Sequence, residues 1–107
     1  MTLGEKQRKF THMTALLILH AEQLGFRLTC GDAYRDSRCD YGHPNSLHRK
    51  RLAMDWNLFK LVRGRWRFQT STEAHRPLGE YWESIGGSWG GRFNDGNHYS
   101  LEHGGVR

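Results

Sequence analysis

The sequence predicts an α+β domain, with helices around a small antiparallel sheet. Three observations carry this reading. Over residues 4–24, Phe10, Met13, Leu17, Ala21 and Leu24 recur at spacings of three and four, which places them on one face of a helix. Several short stretches between residues 26 and 102 alternate apolar and polar residues, as half-buried strands do. Residues 75–85 return to helical spacing, with Leu78, Tyr81, Trp82 and Ile85 on one side.

The elements follow in order. Gly25 is a natural stop for the first helix. Phe26-Arg27-Leu28-Thr29-Cys30 reads as a strand, and residues 36–46, which hold Gly42, Pro44 and Asn45, read as a loop. Residues 52–59 form the next strand, with Asp55 inside it. Arg63-Gly64-Arg65 looks like a hairpin tip, after which Trp66 and Phe68 share one face and Arg65 and Arg67 the other. This arginine group is either a solvated strand face or a contact for phosphate or glycan. Gly86-Gly87-Ser88-Trp89-Gly90-Gly91 reads as a glycine-rich turn that lacks the phosphate-loop pattern. His98 to Glu102 is the last strand. Nothing in the chain repeats or looks like a linker, so residues 1–107 are expected to be one catalytic domain.

Sixteen Lys and Arg against eleven Asp and Glu give a net charge of +5, which suits an anionic partner and equally suits solubility alone. The two cysteines, Cys30 and Cys39, are too few for a disulfide framework, are expected as free thiols, and form no CxxC pair for a thiolate zinc knuckle. The apolar run at residues 15–19 is shorter than the ~7–15 residues of a secretory core or the ~20 of a membrane span. Neither a signal peptide nor a span is therefore expected.

Two stretches carry the chemistry. Ser46-Leu47-His48 runs on to Ala53-Met54-Asp55, and Asp95-Gly96-Asn97-His98 follows later. Together they offer two imidazoles and a carboxylate, plus a second carboxylate three residues before the last histidine. That is the inventory of a catalytic zinc site: three protein ligands, an open position for water and a nearby general base. The reading makes a structural demand. Seven residues of straight strand would hold His48 and Asp55 roughly 23 Å apart, so the chain must reverse between them, with Arg49-Lys50-Arg51 as a charged bend between two neighbouring strands. Asp-Gly is a turn dipeptide that can aim Asp95 and His98 at one point. Seven histidines in 107 residues also produce some His/Asp spacings by chance.

Ser46-x-His48-x4-Ala53-x-Asp55 followed by Asp95-Gly96-Asn97-His98 resembles the zinc D-Ala-D-Ala metallopeptidases. These comprise dipeptidases, carboxypeptidases and the phage L-alanyl-D-glutamate endopeptidases. Residues 52–59, Leu78-Gly79-Glu80-Tyr81-Trp82, and Trp89-Gly90-Gly91-Arg92-Phe93 look like the phage members, and the similarity spans about residues 5–103. The resemblance implies a DD-peptidase or hedgehog-like zinc domain with Zn2+ on His48, Asp55 and His98 and with Asp95 as catalytic base. Many carboxypeptidase members have Glu at the Asp95 position, so Asp looks more like the endopeptidase branch. Arg35, in Ala33-Tyr34-Arg35, matches an arginine that binds substrate and stabilises the oxyanion, chemistry that suits a fixed guanidinium. Ser46 also matches, as a residue that binds a metal ligand, contacts the substrate or shapes the loop. His43 and His103 flank the motifs without filling ligand slots. Glu73, His75 and Trp89 either line the cleft or simply pack.

The function this implies is zinc-dependent hydrolysis of the peptidoglycan stem peptide at L-Ala-D-Glu, in a phage or prophage endolysin. Such an enzyme is made in the host cytoplasm and reaches the periplasm or wall after release. A monomer is expected, without a stable protein partner. One rival is a D-Ala-D-Ala carboxypeptidase or dipeptidase. Others are a zinc-stabilised binding module and a basic nucleic-acid-binding domain that uses Arg63, Arg65, Trp66 and Arg67.

Overall fold

Thr2 opens the first helix. Its hydroxyl accepts from the Glu5 N–H while the Glu5 carboxylate accepts from the Thr2 N–H, a reciprocal capping box. In this computed structural model, which describes residues 1–31 and 46–107, helix α1 spans Leu3–Gln23 and buries Phe10, Met13, Leu17 and Ala21. Leu24 caps the helix and is exposed, where the periodicity had put it on the apolar face. Gly25 then turns the chain at φ +85°.

Strand β1 (Phe26–Cys30) pairs antiparallel with β2 (Ala53–Val62). β2 outlasts the expected strand by three residues and anchors the whole sheet. Its first residues pair with the last strand, β5 (His98–Ser100), and its far half pairs with β3 (Arg65–Gln69). The β2–β3 turn is tight because Arg63 and Gly64 both adopt positive φ, as a two-residue hairpin of the favoured hand requires.

Helix α2 (Thr72–Ser84) starts three residues before the expected boundary because the Ser71 hydroxyl caps it there, and Pro77 lies inside it at the cost of one i→i−4 bond. The glycine-rich stretch after it is more than a turn. It holds a short strand, β4 (Ser88–Trp89), paired with β5, and a 3-10 turn over Gly90–Phe93.

Both helices share one core with the sheet. Leu17, Leu58, Leu78, Trp82, Trp89 and Tyr99 are almost wholly buried. The Phe10 and Trp82 rings meet edge to face at 5.6 Å, and Trp82 donates its indole N–H to the Ser100 carbonyl. Because β2 side chains alternate, Trp56 and Leu58 face this core while Asp55, Asn57 and Phe59 face away from it. The α+β class is therefore what forms, with a small antiparallel sheet of five strands among the described residues. Arg35, Cys39, His43 and nearly all of the expected loop lie outside the described residues. Cys30 is an exposed free thiol.

Candidate metal centre

His48 sits on a 3-10 turn, Leu47–Lys50, that the Ser46 hydroxyl caps by accepting the His48 N–H at 3.2 Å. Arg51 then takes a left-handed conformation at φ 56°, and Leu52 N–H returns to the Leu47 carbonyl at 2.9 Å. The two buried leucines flank the charged bend and pin it to the core. The chain thus reverses between His48 and Asp55 as the zinc reading demands. The bend joins a 3-10 turn to β2, however, and not two neighbouring strands, because Leu47 and Leu52 hold the reversal within six residues.

Asp55 lies directly opposite His98 across the β2–β5 pair. Asp95 and His98 are fixed by a closed loop of backbone bonds. Asp95 N–H reaches the Gly90 carbonyl at 2.8 Å, His98 N–H the Asp95 carbonyl at 3.1 Å, and Trp56 N–H the Asn97 carbonyl at 2.9 Å. The buried Trp89 indole adds a 2.7 Å bond to the Gly96 carbonyl. Glycine is required at two points here. A Cβ on Gly90 would overlap the Asp95 carbonyl oxygen, and one on Gly96 would run into Thr72.

The three expected ligands converge. His48 Nε2 lies 3.3 Å from Asp55 Oδ1, His98 Nδ1 lies 3.4 Å from the same oxygen, and one ligand atom from each residue falls within 4.8 Å of the others. Two atoms each about 2.0–2.1 Å from a tetrahedral ion stand roughly 3.3 Å apart, so the spacing is that of donors around a common centre. Asp55 Oδ1 is buried and meets no hydrogen-bond partner in proper geometry, although both rings are near. An oxygen so placed leaves its lone pairs for a cation. Burial pushes the Asp55 carboxyl up, but the two imidazoles beside it outweigh that and hold it well below the usual carboxylate range. Two nitrogens and one oxygen, with the oxygen ionised, form a donor set that fits zinc.

The ligands open into a cleft of about 490 Å3 that Ser46, Asp95 and Phe93 also line, together with Gly105, Val106 and Arg107. Asp95 is exposed and stands in the same cleft as the cluster. The ring of Phe93 lies 6.1 Å from that of His98. Sequence reasoning missed Phe93 and residues 105–107. Residues 105–107 carry no motif, and Phe93 lies in a stretch read only for its resemblance; the fold alone brings them into the cleft with His98. Ser46, expected to bind a metal ligand, contact the substrate or shape the loop, is seen to cap the turn that carries His48 and to border the cleft.

The remaining candidates pack elsewhere. Glu73 pairs with Arg76 at 2.6 Å on the helix surface, Trp89 is buried, and His103 Nδ1 lies 3.2 Å from Lys6 Nζ. Buried His75 joins the Tyr99 hydroxyl at 2.8 Å, and burial lowers its pKa from 6.5 to about 4. Because the folded value is depressed, the unfolded chain takes up this proton first, and stability drains away as pH falls from 6.5 toward 4. At 1.36 kcal/mol per unit the effect is on the order of 3 kcal/mol. Thermal melts should show wild type losing its advantage over His75→Gln across that window; a constant gap would refute the assignment.

A family model described as D-alanyl-D-alanine carboxypeptidase matches residues 40–101, more than half of the chain, and His48, Asp55, Asp95 and His98 all fall inside the match. Comparison with curated proteins returns no match.

Proposed function

Because the chain belongs to the D-alanyl-D-alanine carboxypeptidase family, and is therefore a zinc metallopeptidase that acts on peptidoglycan-type substrates, we propose that His48, Asp55 and His98 hold the zinc, that Asp95 is the general base, and that the bond cut is L-Ala-D-Glu of the stem peptide. The observation that carries the ligand assignment is the 3.3 and 3.4 Å approach of two buried imidazole nitrogens to one unpartnered carboxylate oxygen. Zinc, when bound, polarises the scissile carbonyl and acidifies the attacking water.

The chain's own residues do the rest. Asp95, on its rigid turn, takes the proton of the attacking water and passes it to the leaving amine. The Ser46 cap and the leucine-pinned bend hold the His48 ring toward the cluster, and Ser46 contacts the substrate at the cleft rim. The charge that grows on the carbonyl oxygen falls to a cation, the role proposed for Arg35. Aspartate rather than glutamate at the base position supports an endopeptidase, and with it an endolysin role in which the enzyme works on the wall after release from the host cytoplasm. No helix among the described residues is long and apolar enough to cross a membrane.

The description of the matched family favours a second reading, a D-Ala-D-Ala carboxypeptidase. Digestion of purified muropeptides followed by mass spectrometry separates the two. A released stem peptide with L-Ala left on the muramic acid is expected; free D-Ala as the product would transfer the assignment to the second reading.

A further inference from the structure

The face of β2 that carries Asp55 does not end at the metal centre. Alternation puts Asn57, Phe59 and Leu61 on the same face. Their direct partners across the ladders share it: Thr29 opposite Asn57, Arg27 and Phe68 opposite Phe59, and Trp66 opposite Leu61. Leu61, Trp66 and Phe68 are 55, 46 and 56% exposed, an unusual concentration of apolar surface on one small hairpin. The surface is ordered by its own contacts. Phe59 and Phe68 sit with ring centroids 5.4 Å apart, and the Arg27 guanidinium lies 5.3 Å from the Trp66 ring.

Hollows follow the strand. Beyond the metal cleft at Asp55 comes one of about 220 Å3 bordered by Asn57, Asn97, Phe68, Gln69 and Thr70, whose lining also reaches Trp56 and His75 on the core side. Next is one of about 280 Å3 between Arg27, Thr29, Phe59 and Trp66. Successive same-face residues of a strand are about 6.6–7 Å apart, so these hollows form a row that starts at the metal. An extended polymer is the occupant such a row fits.

The chemistry narrows the polymer. From Leu58 to Lys60, β2 pairs with β1 on one edge and β3 on the other, so a peptide cannot add there as a strand. What the hollows offer is aromatic rings, the amides of Asn57, Gln69 and Asn97, the His75 imidazole, the hydroxyls of Thr29 and Thr70, and one guanidinium, with no carboxylate among the described residues bordering either hollow. Rings stack on the apolar faces of sugars, and amides and hydroxyls bond to sugar hydroxyl and acetamido groups. We propose that this face seats the glycan strand of peptidoglycan beside the metal centre. The proposal rests on reading that centre as a stem-peptide hydrolase, and it favours the sugar-proximal bond. Only one residue, L-Ala, separates that bond from the muramic acid, a span of roughly 3.5 Å, so a sugar seated beside the metal presents it.

The test is binding, read apart from cleavage. Glycan strands stripped of their stem peptides are incubated with wild type, with Trp66→Ala/Phe68→Ala and with Trp66→Tyr, and bound protein is pelleted and measured. The double variant should bind roughly tenfold more weakly or worse, a loss of about 1.4 kcal/mol, while Trp66→Tyr retains binding. Zinc content and thermal melting of each variant check its fold. Equal binding by wild type and the double variant overturns the proposal, as does a wild-type dimer that the double variant loses, since the face would then be a contact between copies. Hydrolysis of stem peptide by wild type is a separate measurement, so failure of the enzymatic reading and failure of the glycan face give different results.

Discussion

Replacing Asp95 with asparagine should lower hydrolysis of the stem peptide by roughly 10²–10⁴-fold, the range a positioned general base contributes, and leave zinc content unchanged. Asparagine keeps the shape of the side chain and its place on the turn, but it has no basic lone pair for the proton of the attacking water. The side chain is exposed, so the substitution removes a charge without opening the core. The turn itself is held by backbone bonds from Gly90 to Asp95 and from Asp95 to His98, which the change does not touch. Steady-state kinetics and elemental analysis on the same preparation decide the matter. A variant that keeps full activity, or one that loses zinc in step with activity, would remove Asp95 from the role of base.

Much of this site was legible in the sequence because its parts are local. Gly96 after Asp95 announces a turn, and His98 opens a strand, so their placement in one cleft follows from a few residues of chain. The α1 core residues were equally legible, since Phe10, Met13, Leu17 and Ala21 obey the helical period and are buried. What escaped depends on distant partners. β4 has only two residues and no pattern of its own; β5 supplies the edge that makes Ser88 and Trp89 a strand. The 3-10 turn at His48 is fixed by buried leucines, while its own sequence is charged and reads as a bend. The open face of β2 was hidden for the same reason. Phe59 and Leu61 look like core residues until the helices are seen to pack against Trp56 and Leu58 instead.

Asp55→Ala should abolish activity and take the metal with it. In wild type, an ion that binds the folded chain and not the unfolded one adds RT ln(1 + [Zn]/Kd) to stability, about 2.7 kcal/mol at a hundredfold excess over Kd. Removing zinc with a chelator should therefore lower the melting temperature, and restoring it should raise it again. In Asp55→Ala that zinc-dependent shift should vanish. Asp55 contributes the oxygen that both rings approach, and without it the two imidazoles remain with no anionic ligand among the three. The loss of affinity should exceed the ~10–100-fold typical of losing an outer-shell partner, because a ligand itself is gone. Measured together, the two aspartates separate their roles. Asp95→Asn keeps the zinc-dependent shift and loses turnover, whereas Asp55→Ala loses both. If zinc still raised the melting temperature of Asp55→Ala by the wild-type amount, the ion would have to be held elsewhere, and the His48, Asp55 and His98 cluster would no longer account for the chemistry.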